Sequence, residues 1–328
     1  MPWRNHYQRL HLHTVKNLSH LPYRKFEVHI AQYPSRQDVV DYLDNYLQSL
    51  VIKPLYHTEA VDVKKDENGW ITETSKGTFQ SHYLIVATGA YNQPKTFHCT
   101  GSDTFKGQIL HSSQYHTGKD FQNKKVLVIG FGNSACEIAI DLYEQGAHPS
   151  LSVRSAVNVV PRDLLGISIQ YYSWLLSKFP PRIADALIAP IMKWKYGNFL
   201  KYGLQKAKAG VFARIKKGVV PVLDIGTMQY IRNGTIAVFA GIHHIQANTV
   251  YFNDGKQETF DAIVAAIGYE KEAPAFLNLF SKHSVEQQEK EGLYTCGFSI
   301  TSTGLIRQIA YDAKRIAKEI AKKKRISH

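Results

Sequence analysis

Cysteine is scarce in this sequence of 328 residues, and its three cysteines lie far apart. Cys99, Cys136 and Cys296 form no C-x-x-C pair. Their spacing argues against a disulfide framework, a zinc site and a dithiol relay, and it fits a reducing compartment. We therefore expect a cytoplasmic protein without a metal centre.

Long apolar runs are also missing. No uninterrupted apolar stretch is long enough to span a bilayer, and residues 1–6 lack the apolar core of a signal peptide. The sequence contains no G-x-S-x-G pattern, which argues against a hydrolase built on a nucleophile elbow. We expect no transmembrane segment.

Acidic residues are outnumbered, with 27 Asp and Glu against 40 Lys and Arg and a formal net charge of +13. The lysines are scattered, the run Lys322–Arg325 lies at the end of the chain, and no platform of basic and aromatic residues stands out. Anionic nucleotide ligands and a solvated tail account for this charge. We expect no nucleic-acid partner.

A strand followed by a glycine turn and a helix lies near the middle of the chain. Val126–Ile129 is wholly apolar, as in a strand buried on both faces of a parallel sheet. Gly130 and Gly132 allow a tight turn close to a pyrophosphate, and Ala135 lets the helix pack on the strand. The unpaired N–H groups at the helix start would face the phosphates. The predicted contacts are Gly130, Gly132, Asn133, Ser134 and Ala135.

The next apolar segment predicts which nucleotide binds. Leu151–Val153 follows at the spacing of a strand–helix–strand unit, and Arg154 and Ser155 come where an NAD site carries an acidic residue. A guanidinium suits the 2′-phosphate of NADP, so we expect NADPH. The alternative is a nucleotide-free strand, turn and helix with an exposed arginine.

Two similar strands suggest that there are two nucleotide-binding domains. Tyr83–Ala87 runs into Thr88 and Gly89, and Asp261–Ala266 runs into a second pair, Gly268 and Tyr269. Two matched strands that end in glycine predict two such domains joined by crossing connections.

Several local patterns complete the chain. Arg9–His13 alternates like a strand, and His11 and His13 could share a face and bind metal, although no further ligand has suitable spacing. Ser35 and Asp38 predict the start of a helix that reaches Leu50. Asn68-Gly69 predicts a hairpin turn.

Residues 166–217 form an aromatic and basic region of helical character, broken at Pro180-Pro181. One interpretation is a substrate-access or membrane-surface element, with peripheral membrane contact. The other is a helical insert that packs on the sheet. We favour the insert, because the aromatic residues do not fall on one clean face.

The segment Phe105–Tyr115, FKGQILHSSQY, carries the most specific signature. It matches F-x-G-x-x-x-H-x-x-x-Y/F, and with the glycine turn and Arg154 it resembles the flavin-containing monooxygenases, most closely their bacterial and plant YUCCA-type branch. Related Baeyer–Villiger enzymes usually have Trp before Pro or Asp at its end, where this chain has Tyr115-His116. The similarity covers essentially the whole chain.

The resemblance implies an α/β fold with two Rossmann-like, three-layer domains of the glutathione-reductase type. The FAD-binding domain would comprise residues 1–118 and 270–328. The NADPH-binding domain would comprise 119–269, with the helical insert at about 166–217. One departure affects the first domain: the family's opening strand, G-x-G-x-x-G turn and helix have no counterpart here, so we expect an FAD domain incomplete at its N-terminus and a truncated gene model or fragment.

The resemblance also implies the chemistry. NADPH would reduce FAD, and a C4a-hydroperoxyflavin formed with molecular oxygen would oxygenate a small organic substrate, with the protein supplying positioning. The alternative is an inactive, non-enzymatic NADPH-binding remnant that has lost FAD; a flavin disulfide reductase is disfavoured by the missing C-x-x-C. His13 is the catalytic candidate, lining the flavin pocket, or else a structural histidine. Further cofactor contacts implied are Trp3, Arg36, Gln37, Thr88, Gly89, His111, Tyr115, Gly268 and Tyr269.

Overall fold

The structure is a computed structural model that describes residues 2–89, 91, 93–270, 285–299, 301 and 304–326. The helices within these ranges are α1 (Arg36–Gln48), α2 (Asn133–Glu144), α3 (Ile169–Leu176), α4 (Pro181–Tyr196), α5 (Val211–Ile215), α6 (Thr227–Arg232), α7 (Val285–Lys290) and α8 (Leu305–Ile326). The strands are β1 (Ala60–Asp66), β2 (Gly69–Thr74), β3 (Gly77–Ser81), β4 (Leu84–Val86), β5 (Gln108–His111), β6 (Lys125–Ile129), β7 (His148–Ser152), β8 (Val159–Pro161), β9 (Asp163–Leu164), β10 (Ile167–Ser168), β11 (Val222–Asp224), β12 (Ala237–Phe239), β13 (Ile242–Gln246), β14 (Thr249–Phe252), β15 (Gln257–Thr259), β16 (Ala262–Ala265) and β17 (Leu293–Thr295).

A five-stranded parallel sheet forms the larger unit, in the order β12-β7-β6-β16-β5. Val126, Leu127 and Val128 of its central strand are fully buried, which confirms the predicted strand with both faces covered. The antiparallel strands β13, β14 and β15 form a second sheet in this unit.

The smaller unit repeats this layout with fewer strands. A parallel pair, β17 and β4, accompanies a three-stranded antiparallel sheet, β1-β2-β3. The repetition confirms the predicted α/β class with two Rossmann-like domains. The domain limits drawn from the sequence remain predictions, and residues 271–284 of the range 270–328 lie outside the described residues.

The two units differ at one strand edge. In the larger unit, β16 is hydrogen-bonded to β5 on one edge and to β6 on the other. In the smaller unit, β4 pairs with β17, and within the described ranges no strand pairs with its other edge. The described residues therefore supply no equivalent there of β6 and the glycine turn that follows it.

Local predictions had different outcomes. Ser35 caps α1 in a reciprocal capping box with Asp38, as predicted. The hairpin forms one residue earlier than expected, because Asp66 pairs with Gly69. The strand predicted at Arg9–His13 is wrong: the segment makes only an isolated bridge, from His11 to Ser35, since no neighbouring strand extends the pairing.

The aromatic, basic region folds largely into helices. Pro180 caps α4 and Pro181 is its first residue, which explains why the preceding helix stops before the proline pair. Ile188, Met192 and Tyr196 join the hydrophobic core of the larger unit. One face of this helix therefore packs on the core, as the insert interpretation expects.

Candidate cofactor site

All five strands of the larger sheet end at the same level. Across β5, β16, β6, β7 and β12, the residues in register are His111, Ala265, Ile129, Ser152 and Phe239. Because ligands of open parallel sheets bind outside the carboxyl ends of the strands, the residues that follow this row form the candidate site. Most of the cofactor contacts predicted for the larger domain lie in or just after it.

The turn after β6 is shaped by two glycines with different constraints. Gly130 has φ of +116°, and a Cβ there would lie 2.6 Å from the carbonyl oxygen of Ala266. Only glycine fits such a position without strain. A Cβ on Gly132 would meet nothing within 4 Å, and this residue is exposed. The space above Gly132 is therefore open to a ligand.

Helix α2 begins directly at this open space. Gly132 is its N-cap and supplies no capping side chain, so the first N–H groups of the helix remain available to an anion. Ala135 is fully buried, as close packing of helix and strand requires. Ser134 lies in the first turn and is partly exposed. These features fit a dinucleotide pyrophosphate.

The side chain of Asn133 holds a neighbouring strand. Its Oδ1 accepts a hydrogen bond of 2.7 Å from the backbone N–H of Leu223, and its Nδ2 lies 3.5 Å from the carbonyl oxygen of Pro221. The side chain thus fixes β11 beside the turn, and its backbone N–H stays at the helix start.

Arg154 and Ser155 follow β7 and are both exposed. The stem of Arg154 lies against Gly241, where an added Cβ would be 3.1 Å from the arginine Cγ. Gly241 therefore leaves room for this side chain, a role that no sequence pattern indicates. An exposed guanidinium at this strand end suits a 2′-phosphate.

His111 and Tyr269 meet across the ends of β5 and β16. The His111 Nε2 lies 3.1 Å from the carbonyl oxygen of Gly268, and its ring packs edge-on against Tyr269, with centroids 5.4 Å apart. Partial burial lowers the pKa of His111, and the Gly268 carbonyl opposes that change. The neutral ring can donate from Nε2 to this carbonyl.

The segments that follow the two matched strands are in contact. Gly89, after the first strand, is half-buried with φ of +80°, and Pro94 bridges to Tyr269 after the second strand. The next residue, Lys95, donates its backbone N–H to the Gly268 carbonyl over 3.1 Å. Thr88 and Gly89 come a few residues before Pro94 and Lys95 in the chain, and their cofactor contacts remain a prediction.

The rest of the signature segment has a structural role. Gly107 approaches the carbonyl of Asp261 so closely that a Cβ would lie 2.1 Å away, and Phe105 is in a core cluster. Tyr115 is 1% exposed and donates to Asp141 over 2.6 Å. Burial and the Asp141 carboxylate raise the pKa of Tyr115, which keeps it a donor. Tyr115 therefore lies in the core.

His13 contacts the helix that follows the glycine turn. Its Nε2 lies 3.1 Å from Oε2 of Glu137, whose side chain is 1% exposed. The same oxygen accepts the Tyr7 hydroxyl over 2.9 Å. Burial and the neighbouring carboxylate raise the pKa of Tyr7 well above its usual value, so Tyr7 remains a donor. His11 bonds instead to the Arg9 carbonyl, so the two histidines have different partners.

Three acidic residues on α2 hold neighbouring segments, and sequence reasoning missed them. Glu137 binds Tyr7 and His13, Asp141 binds Tyr115 and the backbone N–H of Gly118, and Glu144 forms a two-point contact with Arg9. The acids are spaced i, i+4 and i+7, so they share one helix face. The sequence signal that could have revealed these contacts is the presence of carboxylates on a helix predicted to be buried.

The remaining predicted contacts lie at the start of α1. Arg36 donates to the backbone carbonyl of Arg4 over 2.8 Å, while Gln37 is exposed and bonds to Asp41. Trp3 packs against an apolar cluster that includes residues of α1. The structure brings Trp3 and Arg36 to one region at the start of α1.

A cavity of about 460 Å³ lies between the N-terminal segment and the start of the helical region. Its walls include Val15, Lys16, Gln32, Ile167 and Tyr171. The backbone N–H of Val15 also donates to Gln170 of α3 over 2.8 Å, which ties the two walls together.

A glycine turn at the carboxyl edge of a parallel sheet, beside a second and smaller unit of similar layout, defines an oxidoreductase fold for two dinucleotides. The family model described as pyridine nucleotide-disulphide oxidoreductase matches residues 5–171. The chain belongs to the flavin monooxygenase family within these oxidoreductases, as the sequence predicted. FAD and NADPH are the cofactors that this membership indicates.

Plant enzymes are among the similar curated proteins. The indole-3-pyruvate monooxygenase YUCCA6 of Arabidopsis thaliana is 37% identical over 337 residues, which cover 96% of this chain and 80% of that protein. The indole-3-pyruvate monooxygenase YUCCA1 of Oryza sativa subsp. japonica is 32% identical, with 97% and 82% covered.

Solved structures agree on the fold. A flavin-containing monooxygenase from Stenotrophomonas maltophilia has a TM-score of 0.69 at 18% identity, and the match covers 98% of this chain and 87% of that one. A cyclohexanone monooxygenase has a TM-score of 0.73 at 15% identity, with 99% and 81% covered. At such low sequence identity, these matches show that the fold is shared and nothing more.

Proposed function

We propose that this protein is an NADPH-dependent flavin monooxygenase that oxygenates a small organic substrate with molecular oxygen. The observation that carries the proposal is the open turn at Gly132 beside the exposed Arg154, at one edge of the parallel sheet. Family membership supplies the class of reaction. When bound, the flavin would accept reducing equivalents from NADPH and activate oxygen.

The NADPH contacts follow from the geometry of the strand ends. The N–H groups at the start of α2 would bind the pyrophosphate, and Gly132 would let the backbone approach it. Arg154 and Ser155 would bind the 2′-phosphate, with Gly241 leaving room for the arginine stem. His111 would keep the segment Gly268–Tyr269 in place beside the nucleotide.

The FAD contacts fit less completely. Thr88 and Gly89 follow a strand of the smaller unit, and the described residues next to that strand contain no second glycine turn leading into a helix. We therefore assign them, together with Trp3, Arg36 and Gln37, only a share of the flavin contacts. We propose no position for His13 relative to the flavin, because its ring nitrogen contacts Glu137.

The second candidate is an NADPH-binding protein without flavin. Among the described residues, no strand pairs with the second edge of β4. This unpaired edge favours the second candidate, because it leaves the smaller unit without a complete parallel sheet. The two candidates share the nucleotide site and differ in whether this chain retains FAD.

The absorbance spectrum of the chain, purified after expression with ample riboflavin, separates the candidates. If the chain is a monooxygenase, we expect it to contain bound flavin and to oxidise NADPH with uptake of oxygen. Indole-3-pyruvate, the substrate in the names of the plant relatives, would be tested first, followed by an amine and a thioether. A folded, colourless protein that binds NADPH would support the second candidate and contradict the first for this chain.

A further inference from the structure

Helix α4 is apolar on two opposite faces. Its core face is buried and consists of Ala184, Ile188, Met192 and Tyr196. Its outer face is also apolar, because Ile183, Leu187, Pro190 and Trp194 recur every three or four residues. Ile183 is 49% exposed, Leu187 is 55% exposed and Trp194 is 81% exposed. An ordinary surface helix would carry polar residues on this outer face.

The preceding helix and the connection to α4 carry more apolar side chains of the same kind. Trp174 and Leu175 at the end of α3 are 44% and 52% exposed, and Phe179 in the connection is 46% exposed. We call these three residues, with the outer face of α4, the α3–α4 face. Six large apolar side chains of the segment 174–194 are thus well exposed, namely Trp174, Leu175, Phe179, Ile183, Leu187 and Trp194. Such a concentration indicates an interaction site rather than scattered exposure.

The chain segment that carries this face is rich in cations and has almost no acids. The segment 166–217 has ten lysines and arginines and one acidic residue, Asp185. The carboxylate of Asp185 accepts the backbone N–H groups of Phe212 and Ala213 over 2.8 and 3.1 Å, so it is directed toward α5. Arg182 and Lys193 are exposed on α4. The segment that carries this face therefore has a strongly positive net charge.

We propose that the α3–α4 face binds the surface of an anionic lipid bilayer. Tryptophan and leucine on one helix face, with lysine and arginine on the same helix, are a combination that lies in the interfacial plane of a membrane. The Nζ atom of Lys178 lies 4.3 Å from the centroid of the Trp174 ring. This places an amphipathic cation next to an aromatic residue of the proposed interface.

Charge argues against a second copy of this chain as the occupant. Two identical faces would bring like charges together, whereas an anionic bilayer offers the opposite sign. In the part of the chain that the structure describes, no helix has both the length and the apolarity needed to cross a bilayer. The proposed contact lies in the interfacial plane of the bilayer.

The position of this face also has a consequence for access to the cavity. Tyr171 belongs to α3, is 38% exposed and lines the cavity of about 460 Å³ together with Ile167. An apolar compound dissolved in the bilayer would arrive beside the cavity wall. The binding proposal itself does not depend on the reaction that the protein performs.

Co-sedimentation with vesicles tests the proposal. The full chain is mixed with vesicles of phosphatidylcholine alone, or with about one quarter phosphatidylserine. We expect binding to the anionic vesicles that weakens with salt, and a shift of tryptophan emission to shorter wavelength that Trp194→Phe reduces. Leu187→Glu should weaken binding at least about tenfold, because it places a carboxylate in the apolar contact. Leu55→Glu, at a position 66% exposed elsewhere, should leave binding unchanged.

Three results would overturn the proposal. The first is that the wild-type chain does not sediment with anionic vesicles. The second is equal binding by Leu187→Glu and wild type, which would assign the attraction to basic residues elsewhere. The third is a dimer that Leu187→Glu converts to a monomer without any vesicle binding, which would make the face an interface between copies. Circular dichroism would verify that both glutamate variants are folded.

Discussion

The Nε2 atom of His13 lies 3.1 Å from Oε2 of Glu137, so the N-terminal segment is fixed to the helix that begins at the glycine turn. Tyr7 shares the same carboxylate oxygen. Glu137 thus connects a residue predicted to line the flavin pocket with the helix predicted to hold the NADPH phosphates. A displacement of the N-terminal segment would therefore also displace α2, and the reverse.

Glu137→Ala should lower the free energy of unfolding by about 1–3 kcal/mol, because it leaves the buried Tyr7 hydroxyl and the His13 ring without their acceptor. Glu144→Ala is the matched control on the same helix, since Glu144 is 41% exposed in its pair with Arg9 and should cost less than about 1 kcal/mol. Urea unfolding of both variants measures the difference. Equal losses would show that burial of Glu137 does not matter.

The glycine turn allows folding and binding to be separated. Gly130→Ala should cost about 1–3 kcal/mol of stability, because φ is +116° and the new Cβ meets the Ala266 carbonyl. Gly132→Val should leave stability nearly unchanged, since its φ of −99° suits valine and no atom lies within 4 Å of the added Cβ.

The same valine should weaken NADPH binding at least about tenfold by filling the space proposed for the pyrophosphate, which corresponds to about 1.4 kcal/mol. Thermal unfolding and nucleotide titration of both glycine variants test the separation. Unchanged NADPH affinity in Gly132→Val would contradict the proposed position of the nucleotide.

His111 should make stability depend on pH. Burial lowers its pKa in the folded state, so the unfolded chain binds this proton more readily. The contribution of His111 to the free energy of unfolding is complete above 6.5, its pKa in the unfolded chain, and is lost as the pH falls below that value. His111→Gln should therefore make unfolding free energy fall less steeply between about pH 6.5 and 5.5. Urea unfolding across this range measures both slopes, and identical slopes would refute the role of His111.

How much could be predicted from the sequence depends on how local the causes are. The turn from Gly130 to Ala135 and the capping box at Ser35 were predictable, because their geometry is set by residues a few positions apart. The signature segment gave the family, but its pattern could not tell that Tyr115 lies in the core while His111 lies at the strand ends.

Contacts between residues far apart in the sequence could not be predicted. Tyr7 and Glu137 are 130 positions apart, and only the fold brings them together. The strand expected at Arg9–His13 failed for a similar reason, since alternation cannot supply a pairing partner. The outer face of α4 was hidden in the sequence because two apolar stripes on one helix obscure the usual one-sided pattern.

The most direct measurement is the affinity of the Arg154→Ala variant for NADPH and for NADH, by titration calorimetry. We expect NADPH binding to weaken about tenfold or more, because a charge-assisted contact with the 2′-phosphate is lost, while NADH binding stays the same. Lys256→Ala, which removes an exposed cation from the same unit, should change neither. Equal weakening of both nucleotides, or of neither, would contradict an NADPH site at these strand ends.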